Sequence, residues 1–134
     1  MTGHAHWVTP FVGLPYALGA QGPAAFDCWS FFRFVELEHY GRDVPFLQSP
    51  KSWAGAAQAV ATWGEQHHWR TTTEPRDGDA VALSCLKEAT HIGVWISDLK
   101  AVLHCAKGSG SVLHDARHLA AALWRVRGFY TPEV

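Results

Sequence analysis

Between Asp27 and Gly41 the chain carries a helix signal that is apolar on almost every side. Cys28, Phe31, Phe32 and Val35 recur at i, i+3, i+4 and i+7, while Phe34 and Leu37 fall on the opposite side. Asp27 is a good N-cap and Gly41 a natural residue to follow the last turn. A helix this apolar has to be surrounded by other elements, so it is expected at the centre of the fold. With 134 residues, 48% of them hydrophobic, and 7 Trp and 7 Phe, the chain can supply that surrounding core as a single domain over 1–134. A chain of this length buries roughly two thirds of its unfolded surface and needs no covalent staple.

What surrounds the helix follows from a change of period. Residues 7–25 hold Pro10, Gly13, Pro15, Gly19, Gly22 and Pro23, which predicts an ordered loop. Ser49-Pro50 reads as an N-cap with proline at the first helical position, and a second helix is expected over about 50–66 with Trp53, Ala56, Ala57, Val60 and Gly64 on its packing face. Pro75-Arg76-Asp77-Gly78 is a turn. Beyond it the pattern becomes that of strands, over 80–83, 91–96, 101–105, 111–113 and 123–130. Helices first and consecutive strands afterwards predict an α+β fold, with the helices packed on an antiparallel sheet. There is no internal repeat, linker or low-complexity segment.

Composition removes several classes of partner. Net charge is −1 with no block of Lys or Arg, so no nucleic-acid or anionic-membrane partner is expected. No run approaches the roughly 20 apolar residues of a membrane helix, and the first six residues lack the regions of a signal peptide, so the expectation is a soluble chain without an export address. Cys28, Cys85 and Cys105 are an odd number without C-x-x-C spacing, which excludes a full disulfide framework. His4 with His6 and His67 with His68 have no carboxylate or thiol partner at ligand spacing and read as solvated surface. Neither a metal nor a cofactor is expected.

The residue types that remain fit thiol chemistry. At a helix start, free N–H groups and the helix dipole favour a thiolate, drawing a cysteine pKa from about 8.5 toward about 3.5–7.5. Cys28 stands at that position. A tight hairpin centred on Ser97-Asp98 pairs His91 with His104 on one sheet face, with Cβ atoms about 4.5–5.5 Å apart. Gly93, next on that face, leaves room for the helix start, so Cys28 can reach His91. A thiolate to attack a carbonyl carbon, an imidazole to move the proton and a third group to fix the ring complete the set. Backbone N–H groups at the helix start suit an oxyanion. Cys105 points away from His104 and reads as core, as does Cys85 at a strand end.

Five ordered segments carry a family resemblance. Gly13-Leu14-Pro15-Tyr16-Ala17-Leu18-Gly19-Ala20, Phe26-Asp27-Cys28, Tyr40-Gly41-Arg42-Asp43-Val44-Pro45, Pro75-Arg76-Asp77-Gly78-Asp79-Ala80-Val81 and His91-Ile92-Gly93-Val94-Trp95-Ile96 together resemble the NlpC-like cell-wall peptidases, over about residues 11–130. The resemblance implies a papain-like fold whose central helix carries the nucleophile. It implies Cys28 as nucleophile, His91 as base and acid, His104 as the orienting residue, Tyr16 as a nearby hydroxyl donor and Asp27 as a ligand for the substrate's amino group. Trp29 either lines the substrate cleft or packs. The implied substrates are peptidoglycan stem peptides, cut near the D-glutamyl–diaminopimelate bond. Where most bacterial members read D-C-S-G, this chain reads Asp27-Cys28-Trp29-Ser30, and the Cys-Trp pair resembles phage tail members. That implies a virion-tail component made in the host cytoplasm and acting in the periplasm or wall, with other tail proteins as partners. A structural tail-tip module that keeps the fold, and amide hydrolysis or acyl transfer on another substrate, remain as alternatives.

Overall fold

In the computed structural model, residues 6–44, 69–85 and 88–131 are described. Helix α1 spans Cys28–Glu38, close to the expected limits. Its start is fixed by a reciprocal cap: the Ser30 N–H donates to Asp27 Oδ1 at 2.8 Å, and the Asp27 N–H donates to Ser30 Oγ at 3.0 Å. Phe31, Phe32 and Val35 are buried, each such side chain stabilising the fold by about 1.5–3 kcal/mol. The helix is not apolar-covered all round, because Leu37 is 50% exposed. Phe34 is covered by the segment before the helix, in edge contact with Phe11 at 5.4 Å. Trp7 stacks on His39 at 3.4 Å, at the end of the helix.

Among the described residues the sheet is antiparallel, in the order β1-β6-β2-β3-β4-β5. Its strands are β1 (Arg70–Thr72), β2 (Ala80–Cys85), β3 (Glu88–Ile96), β4 (Ala101–Ala106), β5 (Gly110–Asp115) and β6 (Trp124–Thr131). All five expected strands are present. Strand β1 has only three residues and no apolar alternation, so it gives no sequence signal. A short helix, α2 (Ala116–Ala121), also goes beyond the sequence reading, although its cap is legible: Asp115 Oδ1 accepts from the His118 N–H at 2.9 Å. The helix expected over 50–66 lies outside the described residues. The expected turn at 75–78 is tied to its surroundings by Asp77, which accepts from the Ser97 N–H at 2.8 Å and from the Tyr40 hydroxyl at 3.1 Å.

Helix α1 packs on β3 and β4. Alternation along the strands then divides the core. Ile92, Val94, Ile96, Leu103 and Cys105 join the α1 residues on one face, while Val81, Leu83, Val102 and Leu119 form a second cluster on the other. One buried carboxyl sits in α1 itself: Glu36, 3.3 Å from Arg42, is pushed up to about 8 because burial outweighs the guanidinium.

The β3–β4 hairpin differs from the expected register. Ser97–Leu99 form a 3-10 turn and Lys100 is left-handed at φ 49°, so the connection is longer than a two-residue turn. Val94 pairs with Leu103 and Ile96 with Ala101, displacing the register by two residues. A two-residue displacement keeps every side chain on its face, so His91 and His104 remain neighbours but diagonally. His104 instead stands beside Gly93, where an added Cβ would lie 3.1 Å from His104 Cβ and 2.4 Å from Val102 Cγ1. The space that Gly93 leaves is therefore filled by β4 and not by the helix start. Gly93→Ala is expected to destabilise the protein by about 1–3 kcal/mol in urea denaturation through this overpacking; a wild-type midpoint would refute the close approach.

Candidate active site

Cys28 is the first residue of α1, 3% exposed. The β3–β4 pairing runs from Ile96 and Ala101 to Val94 and Leu103, and just beyond it the Ile92 N–H is hydrogen-bonded to the Cys28 thiol. The Trp29 N–H, at the helix start, also favours the thiolate. These donors are outweighed. Burial, followed by the Asp27 charge, pushes Cys28 up to about 12, opposite to the depression expected from a helix start alone. The helix terminus does act in the expected direction, but on a thiol from which solvent has been removed.

One residue along β3, His91 is fully buried, and its Nε2 lies 2.8 Å from Nδ1 of His104. The hairpin thus brings this expected pair together. Leu83 stands opposite His91 in the β2–β3 register, which places the imidazole on the face of the second core cluster. Trp124 covers the pair, stacked on His91 at 4.5 Å and edge-on to His104 at 5.5 Å. Burial drives His91 down to about 3, and His104 well below its ordinary value through burial and then its neighbours His91 and His114. Both rings are neutral at pH 7. His104 Nε2 is also 3.1 Å from Nδ1 of half-buried His114 on β5. His114 goes unnoticed in the sequence because strand alternation alone does not show which residue of β5 faces His104; pairing of His104 with Val112 supplies that information.

Tyr16, Asp27 and Cys105 surround Cys28. Tyr16 is half-buried, joined by a bridge to Phe26, and pushed up to about 12 by burial and then by the charges of Cys28, Asp27 and Cys105. Its phenol is a donor at any physiological pH. Asp27, 3% exposed, spends Oδ1 on the helix cap. Trp29 is 4% exposed and stacks on Phe32 at 5.6 Å and Trp69 at 6.3 Å, which makes packing its observed role. Cys105 is buried, as expected, with Sγ 3.6 Å from the Phe26 carbonyl oxygen. Among the described residues no group of three or more His, Cys, Asp or Glu is arranged to hold a metal, and no helix is long and apolar enough to cross a membrane.

Asp27 acts on Cys28 in two separable ways. Asp27→Asn keeps a capping acceptor and removes the charge, so alkylation of Cys28 is expected to begin at lower pH than in wild type, read as the iodoacetamide rate against pH. Asp27→Ala removes the cap as well and is expected to cost a further ~0.5–2 kcal/mol of stability. An unchanged alkylation profile in Asp27→Asn would show that the charge does not reach the thiol.

Three likenesses place this geometry. The NlpC/P60 family model matches residues 13–127. Protein P54 of Enterococcus faecium is 37% identical over 51 residues, which are 38% of this chain and 10% of that protein, so the chain matches about a tenth of its relative's length. The crystal structure of the NlpC/p60 domain of the peptidoglycan hydrolase SagA superposes with a TM-score of 0.59 at 19% identity, covering 93% of this chain and 92% of that one. At that identity the likeness concerns the fold, an α1 helix on an antiparallel sheet. The family match, which covers most of the sequence including Cys28, His91 and His104, is what decides the assignment: this chain belongs to the NlpC/P60 family.

Proposed function

We propose that this protein is a cysteine peptidase acting on peptidoglycan stem peptides, with Cys28 as nucleophile, His91 as base and acid, and His104 as its orienting partner. The observation that carries the reading is that neighbouring residues of β3 hold the two groups: the Cys28 thiol is bonded at the Ile92 N–H, and the buried His91–His104 pair begins at the adjacent residue. Family membership and the likeness to a peptidoglycan hydrolase domain support the substrate class.

In this reading the thiol proton passes to His91 Nδ1 as sulfur attacks the scissile carbonyl carbon. The oxyanion is held by N–H groups at the start of α1. The imidazolium then gives its proton to the leaving amine, and water hydrolyses the thioester. Tyr16 donates a hydrogen bond to substrate, and Asp27 receives the substrate's amino group. The bond cut is the one near D-glutamyl–diaminopimelate. Delivery as a phage tail component is a further part of the proposal and rests on the Cys28-Trp29 pair; detection of the chain by mass spectrometry in purified particles tests it, and its absence from them would end it.

One observation favours a second reading, a module that keeps the fold with its thiol shut: Cys28 is 3% exposed and held up at about 12. Defined muropeptides incubated with the protein and read by mass spectrometry separate the two. The peptidase is expected to release cleaved stem peptides and Cys28→Ser to release at least about a hundredfold less. No product from wild type, together with Cys28 alkylation no faster than that of a model thiol near neutral pH, would establish the shut module.

A further inference from the structure

We infer that His114 is a positioning residue for this site, acting through His104 to hold His91 in the tautomer that a base requires. The inference rests on the proposed Cys28–His91 chemistry and adds a residue to it. The geometry is a continuous line of rings across three strands: His91 Nε2 to His104 Nδ1 at 2.8 Å, then His104 Nε2 to His114 Nδ1 at 3.1 Å.

A neutral imidazole donates from one nitrogen and accepts at the other, so a line of such bonds can run in only two directions. If His114 accepts at Nδ1, His104 donates from Nε2 and accepts at Nδ1, and His91 donates from Nε2. His91 Nδ1 then holds the lone pair that takes the thiol proton. In the opposite direction His91 Nδ1 already bears its hydrogen and the ring cannot act as a base.

His114 is where the direction can be set from outside. His91 and His104 are fully buried, whereas His114 is half-buried and lines an open cleft with Val8, Thr9, Val12 and His118. The titratable and charged groups facing His114 are His104 from β4, His118 and Asp115 at the start of α2, and Lys100, which lines the neighbouring cleft. Burial and then His118 lower His114, and Asp115 opposes them, but His114 is half-buried where its neighbours in the line are fully buried. As pH falls, His114 is therefore the first of the three to gain a proton. A charged His114 donates from Nδ1, and the line reaches that state when each hydrogen shifts one ring outward, from His91 Nε2 to His104 Nδ1 and from His104 Nε2 to His114 Nδ1, while the added proton is taken up at His91 Nδ1; both hydrogen bonds are then reversed.

The test compares His114→Phe, which keeps a ring and removes the acceptor, with His114→Asn, whose amide oxygen can accept from His104 Nε2 and does not titrate. His114→Phe is expected to lower kcat on muropeptides at least about tenfold with little change in KM, and His114→Asn to recover most of that loss. The acid limb of kcat/KM in wild type is expected to move to lower pH in His114→Asn. Long-range proton–nitrogen spectra of the wild-type protein, which report tautomers without any turnover, are expected to show His91 protonated on Nε2. Wild-type kcat in a folded His114→Phe, an Asn variant no better than Phe, or His91 protonated on Nδ1 in wild type would each overturn the inference. Should His114→Phe fail to fold, the Asn profile and the wild-type spectra decide. Full activity in Cys28→Ser would instead remove the peptidase reading, and the spectra would still test the tautomer.

Discussion

The reciprocal hydrogen bonds between Asp27 and Ser30 determine where α1 begins, and most of the site depends on that point. Ser30 Oγ also donates to the Ala20 carbonyl at 2.7 Å, so the cap ties the preceding loop to the helix as well as satisfying its first N–H groups. Beginning the helix one residue earlier or later would rotate Cys28 by about 100° about the axis, away from the Ile92 N–H. The apolar residues that follow then fix depth: Phe31, Phe32 and Val35 draw the helix onto β3 and β4, and the thiol goes in with them.

Depth has a consequence for charge. Burial raises Cys28 and lowers His91 and His104, so it opposes the thiolate and the imidazolium alike. The resting site is neutral on both sides. In the proposed peptidase mechanism, a thiolate and an imidazolium formed together attract each other in the same low-dielectric surroundings that penalise each alone, so their proton transfer is a property of the pair. A substrate carbonyl that takes up the sulfur's charge as it develops removes the need for a standing thiolate. The neutral histidines fit that scheme, since an uncharged ring is the one with a lone pair to offer.

The central helix, its cap and all five strongly patterned strands are legible in the sequence, because each is specified by its own residues: Asp27 before an apolar run, Gly41 after it, alternation from Ala80 onward. The His91–His104 pairing is legible for a reason that survives an error. The turn is longer than Ser97-Asp98 suggests, yet a two-residue displacement preserves the faces, so the rings still meet. What is hidden depends on relations between distant segments. Strand β1 exists because β6 offers an edge to Arg70–Thr72. The sequence leaves Trp29 open between lining a cleft and packing, because Trp69, forty residues on, is what stacks against it. The acidity of Cys28 is misread for the same reason: the helix terminus is local and visible, whereas the burial that outweighs it comes from the whole fold.

Gly93 shows how one such relation couples the sheet to the site. Without a side chain at this position, Val102 leans across β3 more closely than a Cβ would permit, and His104 packs tightly beside it. That approach brings His104 Nδ1 within 2.8 Å of His91 despite the diagonal register, and leaves its Nε2 directed toward β5, where His114 meets it. The glycine thus admits the close packing beside the line of histidines, and the line runs from a stretch of β3 that also binds the Cys28 thiol to a cleft lined by His114.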